Sequence, residues 1–186
     1  MDTGFRIVAS EIVVLNLAYS SYIKNVVLLD VMVVGSGYLL RVLAGALVID
    51  VEMSPWLYTT IGLGALFIAL GKRYSEFKAE EGTPGNQRLV LRKYSEPLLS
   101  QMITVTSTAT LVAYSLYTFS AANVPANHSM MLTIPFVVFG LFRYLYLINQ
   151  TTEAESPEMV IIKDPPLVVD LLLWGVTTGA VLALGR

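Results

Sequence analysis

The chain has 186 residues, of which 55% are hydrophobic and only 14% charged, with a formal net charge of −2 and a mean hydropathy of +0.65. A water-soluble domain usually carries about 25% charged residues, so an ordinary soluble domain is excluded and an integral membrane protein is indicated. Cysteine is absent, which excludes disulfides and Fe–S or Cys-ligated zinc sites, and the one histidine, His128, sits in the polar stretch "NVPANHSMM", which argues against a His-based metal site or a Ser-His triad.

A hydrocarbon core about 30 Å thick needs roughly 20 apolar residues in a helix. Six segments approach that length. In chain order they are Phe5–Tyr19, Val26–Ile49, Trp56–Leu70, Leu98–Phe119, Met130–Ile148 and Leu167–Leu184. The first is the weakest, being short and carrying Arg6 and Glu11. Lipid offers no partners to unpaired backbone groups, and the alternating strands of a closed barrel are not seen, so all six are predicted to be helices. The expected fold class is all-α, a polytopic transmembrane helical bundle forming one domain over residues 1–186. No internal repeat is visible. The opening "MDTGFR" lacks the basic start, apolar core and cleavage site of a signal peptide.

The connections alternate in charge. Tyr19–Asn25 holds Lys24, while Asp50–Pro55 holds Asp50 and Glu52. Lys72–Glu96 holds Lys72, Arg73, Lys78, Arg88, Arg92 and Lys93. Ser120–Ser129 has no Lys or Arg, and Asn149–Pro166 holds Lys163, with Arg143 just before it. Basic residues on every second connection follow the positive-inside rule. They predict that the basic loops are cytoplasmic, in a membrane expected to be the bacterial inner membrane. Both termini would then lie on the far side, which is uncommon for an unsignalled start. An odd number of helices preceding Met1 is the simplest expectation.

Asp30 and Arg41 lie inside the second segment. Ionisable groups at membrane depth are costly and normally face protein or a watery cavity. Eleven residues make nearly three helical turns, so the two share one face about 16 Å apart. Both a structural ion pair with another helix and a cavity-lining role fit that spacing. Lys24 reads as a topology-setting charge on the side of the larger basic cluster. In "LGKRYSEF", Lys72 and Glu76 are spaced i, i+4 and Arg73 and Glu76 i, i+3, so the third helix is expected to run on past the bilayer. Lys93 and Tyr94 are expected close to Lys72 if the flanking helices form a hairpin. With Arg88 and Arg92 this cluster suits phosphate groups, or simply attraction to anionic headgroups. In "SPEMVIIKDPPLVVD", which also holds Glu158 and Lys163, Asp164 before Pro165-Pro166 marks a helix start or a binding role. No Walker motif and no "DxxxD" pattern occurs.

The stretches "NLAYSSYIKNVVLLDVMVVGSGYLLRVLAGA", "LFIALGKRYSEF" and "RKYSEPLL" resemble the UbiA superfamily of intramembrane prenyltransferases, in particular its decaprenyl-phosphate phosphoribosyltransferase branch. Lys24, Asp30 and Arg41 carry the resemblance, which runs over essentially the whole chain. It implies that these six segments correspond to helices four to nine of the family. Three preceding helices would then be missing, the odd number that the charge pattern asks for. The family's first Asp-rich motif, N-D-x-x-D, is absent, so the resemblance implies a Mg²⁺ site with only half its ligands here and no metal ligand in this chain. The second motif, acidic in aromatic prenyltransferases, falls where Lys72, Arg73, Tyr74 and Glu76 stand. The resemblance implies a substrate-binding set of Lys24, Asp30, Arg41, Lys72, Arg73, Tyr74, Glu76, Lys93, Tyr94 and Asp164. It implies a Mg²⁺-dependent transfer of 5-phosphoribose from phosphoribosyl pyrophosphate to a polyprenyl (decaprenyl) phosphate, for cell-wall biosynthesis. The partners expected are those two substrates and the membrane, and either a missing N-terminal half or further copies of the chain; no nucleic acid is expected. Two alternatives stand beside it: a UbiA-type prenyltransferase of an aromatic or other small acceptor, and an inactive truncated membrane fragment.

Overall fold

The computed structural model describes residues 3–49, 51, 53–80, 90–122, 124–150 and 157–185. Every regular element among them is helical, as backbone groups in lipid require. The α-helices are α1 (Thr3–Ser21), α2 (Leu29–Val48), α3 (Pro55–Glu80), α4 (Glu96–Ser120), α5 (Ile134–Gln150), α6 (Pro157–Lys163) and α7 (Pro165–Leu184). Short 3-10 turns stand at Ile23–Asn25, Leu91–Lys93 and Ser129–Thr133. The chain is an all-α membrane protein.

Among the described residues, three stretches are long and apolar enough to cross a bilayer: Leu29–Val48, Ser129–Gln150 and Pro165–Leu184. The other expected spans fall within α1, α3 and α4, which carry more polar side chains. In α4 these are mostly hydroxyls, and the helix satisfies them itself. Thr104, Thr106, Thr108, Thr110 and Ser115 each donate to the carbonyl four residues back, at 2.7–2.9 Å. Such back-bonding removes the cost of a bare hydroxyl in an apolar setting. Helix α3 has 26 residues, about 39 Å at 1.5 Å per residue, so its charged last turns extend beyond its apolar run. The short α6 was not anticipated; it occupies part of the long connection before Pro165.

Helix α3 is the spine, packing against α2 on one side and α4 on the other. Glycine permits the first contact. A Cβ on Gly35 would lie 3.4 Å from the Leu66 backbone, which is how small residues let helices approach in membranes. Helix α1 packs on α2, and α5 on α7. One apolar core joins Val31, Phe67, Leu70, Tyr94, Leu99, Tyr144 and Ile148. A second, towards the other end, joins Tyr114, Tyr117, Ala121 and Met130. There Trp174 Nε1 donates to Tyr114 Oη at 2.8 Å, and Tyr114 Oη lies 2.6 Å from Thr133 Oγ1. This chain of hydroxyls ties α7 and the third 3-10 turn to α4.

Helix α2 starts at Leu29, three residues later than the apolar pattern suggested. Leu28 has φ 70, a region that costs a side-chain-bearing residue about 1–3 kcal/mol. The Leu28 amide leaves the helical path and donates to Tyr94 Oη at 2.8 Å instead. The turn thus spends backbone strain to bring the start of α2 against the α3–α4 connection.

Candidate functional site

Asp30, in the first turn of α2, is fully buried, at 0% exposure. That end of a helix favours a negative charge, but a buried carboxylate also needs a cation. Arg73 of α3, itself buried, supplies it, with Nε 3.1 Å from Asp30 Oδ2. The angle falls short of a hydrogen bond there, so the attraction is chiefly ionic. The guanidinium also bonds, through Nη1, to Glu76 Oε2 one turn on. Tyr94 closes the group: its hydroxyl donates to Asp30 Oδ1 at 2.7 Å while accepting from the Leu28 amide. Burial, followed by the bond to Asp30, pushes the Tyr94 phenol up to about 12.

Tyr74, one residue after Arg73, turns to another partner set. Its Oη lies 3.0 Å from Asn149 Oδ1 and 3.2 Å from Glu96 Oε1. Lys78 Nζ donates to the Asn149 carbonyl at 3.0 Å and stands over the Tyr74 ring. The end of α5 is thereby pinned to α3. On the same end of the bundle Asp164 accepts two bonds from Arg143, from Nε at 3.0 Å and Nη2 at 2.8 Å. It also accepts from the Leu167 amide at 3.0 Å, capping α7. The Arg143 guanidinium holds the Asp164 carboxyl below the usual carboxylate range.

The expected residues therefore divide. Asp30, Arg73, Glu76 and Tyr94 form one contact network, with Tyr74 beside it. Lys24, Lys72 and Lys93 are exposed at that same end. Lys24 sits in the turn leading to Leu28, Lys72 precedes Arg73, and Lys93 precedes Tyr94. None of the three has an ion-pair or hydrogen-bond partner among the described residues. Asp164 caps α7 with Arg143. Arg41 stands apart, exposed along α2, its guanidinium 5.6 Å from the Tyr38 ring centre. Arg88, Asp50 and Glu52, and the side chains of Arg6 and Glu158, lie outside the described residues. The sequence reading missed the roles of Glu96 and Asn149, for which no spacing signal exists. It also missed Arg143 as the Asp164 partner, although an arginine inside an apolar span was itself a sign of a buried ion pair.

The described residues contain no group of three or more metal-ligating side chains. Asp30 and Glu76 both face the Arg73 guanidinium, which fills the place a cation would take. The implied Mg²⁺ does not fit these residues as they stand.

The chain is similar over most of its length to curated enzymes named decaprenyl-phosphate phosphoribosyltransferase. That of Mycolicibacterium smegmatis is 33% identical over 191 residues, covering 97% of this chain and 59% of the relative. That of Mycobacterium tuberculosis is 30% identical over 171 residues, covering 92% and 56%. That of Corynebacterium glutamicum is 30% identical over 164 residues, covering 87% and 49%. This chain is homologous to part of that enzyme. It spans about half the length of the curated relatives it matches. The resemblance drawn from "NLAYSSYIKN" and "LGKRYSEF" is to the same enzyme. No family model matches the chain.

Proposed function

We propose that the chain is part of a membrane transferase that moves 5-phosphoribose from phosphoribosyl pyrophosphate to a polyprenyl phosphate such as decaprenyl phosphate. The observation that carries the proposal is the set of exposed lysines, Lys24, Lys72 and Lys93, without partners among the described residues, around the buried Asp30–Arg73–Tyr94 network at one end of an apolar bundle. The relatives are named for transfer of phosphoribose to decaprenyl phosphate. Both substrates are anionic, and one is a lipid, so their phosphates need cations at a membrane face. An oxygen of the lipid phosphate attacks the anomeric carbon of the donor. The bond from that carbon to pyrophosphate breaks, and pyrophosphate leaves with the electron pair. The lysines hold phosphate charge; Arg73, engaged by two carboxylates, positions Asp30 and Tyr94. Asp164, engaged by Arg143, fixes the start of α7. Mg²⁺ dependence and a cytoplasmic position for this end in the inner membrane belong to the same proposal, with Mg²⁺ ligands drawn from outside this chain.

Membranes containing the chain together with the unmatched portion of the Mycolicibacterium smegmatis relative, given labelled donor and decaprenyl phosphate, should form lipid-linked phosphoribose. The chain alone should form little or none. Absence of product from the combined membranes would sink the proposal, and near-full turnover by the chain alone would sink the view that it is incomplete.

A further inference from the structure

Arg41 lies twelve residues after Leu29 in a 20-residue apolar helix, about 18 Å along an axis about 30 Å long. Its side chain does not reach for the nearer end at Val48. Helical side chains lean towards the helix N-terminus, and Arg41 Nη1 comes within 3.5 Å of where a Cβ on Gly37 would lie. The charge therefore rests near mid-depth. The Tyr38 ring face is its one polar contact among the described residues. On the neighbouring α1, Glu11 is also exposed and has no partner among the described residues. It lies ten residues before Ser21, about 15 Å from that end, so the two bare charges sit at similar depth. Two other charged pairs are matched, Asp30 with Arg73 and Arg143 with Asp164, while Asp170, near the start of α7, has no ion pair among the described residues but is buried in protein.

A bare charge at mid-depth calls for a protein partner or a watery cavity. The relatives show how much polypeptide is available to provide one. Two-fifths to one-half of each relative lies outside the matched region, yet nearly all of this chain is matched. We propose that the open face of the α1–α2 hairpin around Arg41 and Glu11 docks a further membrane-spanning segment, homologous to the part of the relatives that this chain does not match. That segment brings a carboxylate to the depth of Arg41 and a hydrogen-bond donor or cation to Glu11. The exposed apolar side chains beside them, Val14, Leu17, Tyr38 and Val42, form the rest of the contact.

The test co-expresses the chain with the unmatched portion of the Mycolicibacterium smegmatis relative as a separate polypeptide. Association is read by co-purification in mild detergent and by a photo-crosslinking residue at Tyr38. The crosslink should fall on the added segment. Arg41→Leu and Arg41→Glu should each lower co-purification about tenfold or more, and Arg41→Lys should largely preserve it. In the chain alone, Arg41→Leu should keep wild-type helicity and insert at least as well, which separates lost docking from lost folding. Unchanged co-purification in both charge variants overturns the inference, as does a crosslink to a second copy of the chain or to lipid only. So does absence of association in the wild type. Because the readout is association rather than turnover, the inference can fail while the transferase proposal stands, and the reverse.

Discussion

The Asp30–Arg73 pair lends itself to a quantitative test, because both groups are almost wholly withdrawn from solvent. Removing one partner of a buried ion pair costs about 3–5 kcal/mol, since the other charge is left uncompensated. In Asp30→Asn the new amide oxygen still accepts from Tyr94, so that hydrogen bond is retained. Arg73 also keeps Glu76, whose side chain is partly exposed at 17%. The low end of the range applies, about 3 kcal/mol. In Arg73→Gln the fully buried Asp30 keeps only the Tyr94 hydroxyl, and the loss should be at least as large. The double variant buries two neutral amides that can bond to each other, so it should lose far less than the two singles together. The coupling energy should be about 2–3 kcal/mol.

The measurement is reversible unfolding in mixed micelles by titration with a denaturing detergent. Fluorescence of Trp56 and Trp174 and helical circular dichroism serve as the two probes. A double variant whose loss equals the sum of the singles within about 0.5 kcal/mol would show that the two groups do not interact as described, and the division into buried positioning groups and exposed binding groups would fall with it.

Two further outcomes follow from local geometry. A Cβ on Gly71 would lie 2.6 Å from Tyr144 Oη and 2.7 Å from Cε1. Tyr144 is buried edge-on against Phe67 at 5.2 Å and cannot swing away, so Gly71→Ala should cost about 1–3 kcal/mol in the same titration. Gly175→Ala, inside α7 with nothing within 4 Å, should instead raise stability by about 0.5–1 kcal/mol. The Tyr94 phenol should ionise near 12, above its ordinary value near 10, as read by ultraviolet difference absorbance against Tyr94→Phe. Its folded-state value is raised, so its contribution to stability is full below pH 10 and is lost as pH rises towards 12. A transition at the ordinary tyrosine value would contradict the buried bond to Asp30.

The helices were largely legible because lipid imposes one solution on an apolar stretch. Their charged ends were legible only as charge. "KRYSE" promised that α3 continues past its apolar run, and it does, but adjacency in sequence hid a division of labour. Lys72 and Arg73 are separated by about 100° around the helix, enough to send one to the surface and the other into the interior. Nothing in the local pattern says which. The answer depends on Asp30, forty-three residues earlier, and on Tyr94 in a different connection. The shared face of Asp30 and Arg41 was legible from an eleven-residue spacing. Their different surroundings were not, because Tyr94 and Arg73 reach α2 at its first turn, far along the chain from Asp30. The late beginning of α2 was hidden for the same reason: it depends on a tyrosine hydroxyl 66 residues away along the chain.

The same division argues for how an anionic donor would be received. A guanidinium already held by two carboxylates has little positive field left to offer a phosphate, and freeing it would leave Asp30 buried without its cation. Ammonium groups on flexible stems cost far less to redirect, and their charge is compact. Lys24, Lys72 and Lys93 also rise from three separate elements: the α1–α2 turn, the end of α3 and the α3–α4 connection. The Leu28–Tyr94–Asp30–Arg73 chain of contacts is what ties those three elements together. Loosening it by Tyr94→Phe would therefore disperse the lysines without removing a single positive charge. That predicts weaker binding of anionic vesicles at unchanged net charge, an effect that attraction to headgroups by scattered surface lysines alone would not produce.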